Sequence, residues 1–170
     1  ASALVNKGVT LGQAGRSDEE IGVYDQLITS YAEDPAPAIR EQVAKAMSNA
    51  SQIDFSRGLD EQGAARAREA LRLAGDNPDL DPMRAEAHLY LFAHHPGSRA
   101  AAGAALKTLL ATGVSTGDWS FQPNLDRLGR DEDPRTDLIA AITAALATGD
   151  ATTLETYQEW QGVPGKQAEF

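Results

Sequence analysis

The chain has 170 residues, 42% hydrophobic and 24% charged, with no cysteine and a formal net charge of −10, a composition typical of a globular domain. The missing thiols exclude disulfides, iron–sulfur clusters and thiolate zinc sites. Up to Gly113 there are 11 basic and 15 acidic residues, and beyond it 4 and 10, so neither part offers the cationic face that nucleic acid or an anionic membrane requires.

Apolar residues recur at helical spacing almost throughout, and no window alternates as a strand does. Leu4, Val5 and Leu11 give the inner face of a first helix, ended by Gly15. Ser17 reads as the cap of a second, in capping-box spacing with Glu20 and followed by acidic residues in the first turn. Ile21, Tyr24, Leu27, Ile28 and Tyr31 form its stripe, and Pro35 and Pro37 close the unit. A third helix is expected over 38–55, broken at Gly58, and a fourth over 60–74. The cluster of Gly, Asn, Pro and Asp from Gly75 to Pro82 is a turn. A fifth helix, 83–94, stops at Pro96 and Gly97, and a sixth, capped by Ser98, ends near Gly113. No 18-residue apolar run or signal segment occurs, so no membrane span is expected and the cytoplasm is the expected location. Ala1 stands where Met would begin a complete chain, which reads as a processed or excised fragment.

The three loop glycines Gly15, Gly58 and Gly97 are separated by 43 and 39 residues. In that register Ala3, Ala46 and Ala85 coincide. So do Asn6, Asn49 and His88, then Tyr24, Ala67 and Leu106, then Leu27, Ala70 and Leu109. A helix–turn–helix unit recurring at this period cannot bury its apolar stripe alone, so neighbouring units are expected to stack.

These residues resemble the tetratricopeptide repeat family, over about residues 2 to 113. Gly8 and Leu11 on the first helix, the turn at Gly15, the aromatic Tyr24 and the closing Pro35 carry the likeness. The stretch Asn6-Lys7-Gly8-Val9-Thr10-Leu11-Gly12 with Gly15-Arg16-Ser17 looks like long-period bacterial members. Departures are plain. Glu20 stands where a small residue is usual, although Gly63 and Ala102 fill that place later. Ser51 and Tyr90 replace the close-packing Gly8, and the period exceeds the usual 34. The resemblance implies an all-α, right-handed α-solenoid of about three helix–turn–helix repeats over 1–113; the residues beyond read as a helical cap over 114–162 and a flexible tail over 163–170. It also implies a concave groove that binds an extended peptide or a partner helix. Lining that groove would be Asn6, Val9 and Gln13, then Lys45, Asn49, Gln52 and Ser56, then Glu86, His88 and Phe92. Asparagine suits this use, because one amide can pair with both the N–H and the C=O of an extended chain. The paired cations of carboxylate-gripping members are missing, so terminal-carboxylate recognition is not expected.

After Gly113 the pattern changes. Trp119 and Phe121 lie in an aromatic loop and read as buried anchors of a cap. A short helix follows from Pro123, then the acidic turn Asp131-Glu132-Asp133, which reads as the cap of a helix running from Pro134 to Gly149. A last helix is expected over 151–160. Chemistry is sparse. His94 and His95 point to different sides, and His88 does not supply the four-residue ligand spacing of a helical metal site. Asp54 and Asp60 flank a turn and read as surface charge, with paired-carboxylate hydrolysis the weaker alternative. No catalytic, metal or cofactor site is expected. The reading is a protein-interaction scaffold, with self-association or a regulatory role in a larger protein as the alternative.

Overall fold

A computed structural model of the chain describes residues 1–165, and every regular element among them is a helix. They fall into two units, Ala1–Leu80 and Asp81–Phe170.

The first unit holds two helix hairpins. The helices are α1 (Ser2–Gln13), α2 (Ser17–Tyr31), α3 (Pro37–Ser56) and α4 (Asp60–Ala74). Val5, Tyr24, Leu27, Val43, Ala46, Ala50 and Ile53 form the core, with Leu4, Ile21, Ile28, Tyr31, Ile39, Met47 and Leu73 packed around it. The α4 face toward α3 is nearly all small: Gly63, Ala64, Ala67, Ala70 and Ala74 are buried. Small residues there let the two backbones approach, which a stripe of leucines at the same spacing would prevent. Gly15 and Gly58 end their helices with the same turn. Each adopts a left-handed φ, 72° and 77°, which glycine reaches without steric cost. The next residue then bonds back across the helix end, Arg16 N–H to Leu11 O and Leu59 N–H to Asp54 O, both at 2.9 Å. Ser17 is not the cap. Arg16 takes that position, and its guanidinium grips Glu19 at 2.5 and 2.7 Å, while Ser17 makes no capping bond.

One charged residue ties the second hairpin to the first. Arg66 on α4 lies 2.9 Å from Asp54 Oδ2 on α3 and 2.7 Å from Asp25 Oδ1 on α2. Asp54 is only 1% exposed, so its expected surface charge is corrected to a buried ion pair. Burial pushes its pKa up, and Arg66 acts against that shift.

The second unit contains α5 (Asp81–His94), α6 (Arg99–Ala111), α7 (Gln122–Arg130), α8 (Thr136–Thr148) and α9 (Gln158–Gln161). Gly97 is not the counterpart of Gly15 and Gly58. A residue before proline is driven to extended backbone, and His95 before Pro96 sits at φ −122°, ψ 95°. That stops α5 at His94 and places Gly97 within a 3-10 turn, Pro96–Ser98, without the left-handed φ of the other two. Ser98 makes no capping bond to α6; its hydroxyl meets His95 Nδ1 at 2.9 Å.

Of the two anchors expected after Gly113, Phe121 is buried and Trp119 half-buried. Phe121 packs edge-on against Tyr90 at 4.7 Å and stacks on His94 at 6.0 Å. His94 Nε2 is 2.8 Å from Asn124 Oδ1, and Asn124 Nδ2 reaches the Tyr90 hydroxyl at 3.4 Å. Asp133 Oδ1 accepts from the Arg135 N–H at 2.8 Å in the turn before α8, but it is not the expected cap: Arg135 holds that position without a side-chain capping bond, and the helix opens at Thr136 and not at Pro134. The expected last helix is broken into a 3-10 segment, Thr152–Thr156, and α9, joined by an extended Tyr157. Leu154 and Trp160 are both buried. Six residues of continuous helix would point these side chains about 120° apart, so the break lets both face inward. The tail is held at its start: Lys107 Nζ donates to Val163 O at 2.9 Å and to Trp160 O at 3.3 Å. Residues 166–170, the rest of the expected flexible tail, lie outside the described residues.

Candidate functional site

The seam of α1, α2 and α3 is the most organised polar feature of the first unit. Its foundation is a pair of glycines one turn apart on α1. A β-carbon placed on Gly8 would lie 2.3 Å from Cε1 of Tyr24, and one on Gly12 would lie 2.7 Å from the Glu20 carboxyl group. Moving one turn up α1, from Gly8 to Gly12, matches moving one turn back along the antiparallel α2, from Tyr24 to Glu20. Glu20 thus fits where a small residue was expected, because Gly12 opposite supplies the room.

With its ring laid across Gly8, Tyr24 is fully buried and its hydroxyl emerges between two polar groups. It donates to Glu20 Oε1 at 3.2 Å, and Asn49 Nδ2 on α3 donates to it at 3.1 Å. Burial pushes the Glu20 carboxyl pKa up, opposed by the Tyr24 hydrogen bond and by Arg57. Burial, with the neighbouring Glu20 charge, also pushes the Tyr24 phenol up. A phenol is protonated at neutral pH and the upward shift only widens that range, so the hydroxyl is available as a donor.

The sequence-expected groove residues divide. Asn6, Val9 and Gln13 are exposed on α1, and Val9 is 40% accessible. On α3, Lys45, Asn49 and Gln52 are half-buried and Ser56 is exposed. Lys45 Nζ pairs with Glu41 at 2.7 Å, and the Ser56 hydroxyl donates to Ile53 O. The third column belongs to the second unit. Phe92 is only 2% exposed and lies on Gly103, so it is core and not groove lining. His88 lines a cleft of about 320 Å³ with Arg84, Ala104, Ala105, Thr108 and Leu109. Its Nδ1 is buried without a partner. Burial, helped by Arg84, lowers its pKa to about 4.

The register columns behave unequally. Tyr24, Ala67 and Leu106 are all fully buried, as are Leu27 and Ala70, whereas Leu109 is half-buried and Ala3 exposed. Sequence reasoning missed the Glu20–Tyr24–Asn49 chain. Its signal was present in Gly8 and Gly12 set against Tyr24 and Glu20, but that pairing needs the antiparallel register of the two helices. His94 and His95 are engaged by Asn124 and Ser98. Among the described residues no group of three His, Cys, Asp or Glu side chains converges as a metal site. No helix among them is long and apolar enough to cross a membrane.

No family model, curated protein or solved structure matches the chain.

Proposed function

We propose that the chain is a protein-interaction scaffold of tetratricopeptide-like construction, using the α1–α3 face as a groove for an extended peptide or a partner helix. In this reading α1–α2 and α3–α4 are two like repeats, α5–α6 is a divergent third in a right-handed solenoid, and residues 114–162 form the cap. The observation that carries the proposal is the character of that face. Asn6 and Gln13 flank an exposed valine at helical spacing on α1, and on α3 Asn49 adds a third uncharged hydrogen-bonding group, braced by a buried phenol. Such a face can satisfy the backbone of an extended segment while Val9 takes an apolar side chain. A braced amide also spends less conformational entropy on binding than a free one.

The test is selection of peptides from a random library displayed on phage, using the full chain as bait. Titration of enriched peptides against wild type and the Asn6→Ala, Asn49→Ala double variant follows. The double variant should bind at least about tenfold more weakly, the scale of one or two lost hydrogen bonds. Equal affinity in both would reject the groove. Sedimentation of the full chain at rising concentration addresses the competing reading, in which the groove's occupant is a second copy.

A further inference from the structure

The Glu20–Tyr24–Asn49 chain has a direction, and the direction follows from proton inventory. An ionised carboxylate only accepts hydrogen bonds, and a phenol has one proton to give. With Glu20 Oε1 at 3.2 Å, the Tyr24 proton is spent on Glu20. The phenol oxygen can then only accept, so the Asn49 group 3.1 Å away must be Nδ2. The opposite amide orientation would set Asn49 Oδ1 against the phenol's lone pairs. Asn49 Oδ1 meets no partner among the described residues, and the half-buried side chain is not sealed from solvent. Glu20 itself lies against the α1 backbone at Gly12, and the charge of Arg57 favours its ionised form.

We propose that Glu20 and Tyr24 are positioning residues that lock the Asn49 amide with its oxygen toward the groove, so that the site requires a free backbone N–H of the bound segment at that point. The proposal rests on the groove reading above for its ligand, but the lock is a property of the protein alone. Neither residue needs to touch the ligand. Tyr24 holds the amide directly, and Glu20 acts through Tyr24 by consuming the proton that would otherwise allow both orientations.

The deciding measurement is the side-chain amide spectrum of Asn49 in the ¹⁵N-labelled full chain at neutral pH, without ligand. Two variants preserve the packing: Tyr24→Phe keeps the ring on Gly8, and Glu20→Gln keeps the shape over Gly12. Wild type should show one Asn49 Nδ2 proton exchanging at least about tenfold more slowly than the other, as expected for one bonded and one free proton. Tyr24→Phe should abolish that difference. Glu20→Gln should reduce it although the substituted side chain acts on the amide only through the phenol, because a glutamine can donate to the phenol as well as accept from it. An unchanged Asn49 spectrum in folded Glu20→Gln overturns the lock. With an enriched peptide in hand, methylation of successive backbone nitrogens should find one position where affinity falls at least about tenfold, and uniform tolerance overturns the N–H requirement. If the lock is present and no peptide is enriched, the groove reading fails and takes the ligand half of the proposal with it. If peptides bind and the lock is absent, this inference alone fails.

Discussion

Three helix hairpins of this chain each bring their helices together by laying an aromatic ring on a glycine, but in two opposite senses. In α1–α2 the glycine is on the first helix and the ring, Tyr24, on the second. In α3–α4 and α5–α6 the ring is on the first helix, Phe55 and Phe92, and the glycine on the second, Gly63 and Gly103. The fit also loosens along the chain. A β-carbon would approach the ring to 2.3 Å at Gly8, 2.9 Å at Gly63 and 3.2 Å at Gly103. Only the first ring carries a hydroxyl, and only there does the close approach deliver a polar atom to a neighbouring helix. One packing device thus serves cohesion alone in two hairpins and both cohesion and polar positioning in the other.

The sharpest way to break this comparison is Gly8→Ala. The methyl group cannot be accommodated without shifting Tyr24, and overpacking of this kind costs about 2–3 kcal/mol. It should appear as a lower urea midpoint at unchanged slope, together with loss of the slow Asn49 amide proton. The second test concerns His88, in the same register column as Asn49 and likewise half-buried, but with its Nδ1 enclosed and without a hydrogen-bond brace. Its pKa is about 4 when folded, against an ordinary value near 6.5. Between those values the unfolded chain binds a proton that the folded one refuses, so the stability is intact above about 6.5 and is lost as pH falls toward 4. Wild type should lose on the order of 2 kcal/mol more than His88→Gln between pH 7 and 4, measured by urea midpoints. Equal losses would show that the imidazole is freely hydrated.

The smallest effects come from repeating the alanine substitution down the series. Gly63→Ala should cost about 1 kcal/mol, because steric cost at Phe55 is offset by the alanine's better helix propensity. At Gly103 the propensity gain, up to about 1 kcal/mol, should balance the contact with Phe92 and Val163. A midpoint order other than Gly8, Gly63, Gly103 would remove the close-approach account of the hairpins.

Helix positions were legible because prolines, turn glycines and apolar period act locally: α4 begins at Asp60 and ends at Ala74, as its spacing predicts. The turns at Gly15 and Gly58 were legible for the same reason. Gly97 misled because spacing identifies a glycine but not its backbone angle, and Pro96 next to it decides the angle instead. Asp54 misled because a carboxylate beside a turn reads as solvated unless its partner is known, and Arg66 lies on another helix. Of the candidate site, Asn6 and Asn49 could be singled out as residues. Which atom Asn49 presents depends on a phenol 25 residues away in sequence and on Glu20 beyond it. Proton direction of that kind has no sequence signature.

The guanidinium of Arg66 has a consequence for how the first unit comes apart. It joins carboxylates on α2 and α3 from its own seat on α4, so any fluctuation that peels α4 away strands a desolvated anion at position 54. Partial opening at that edge is therefore penalised beyond the loss of its close alanine packing alone. Amide exchange in α2, α3 and α4 should accordingly proceed through a shared opening, with α4 protected to nearly the same degree as the two helices it clasps.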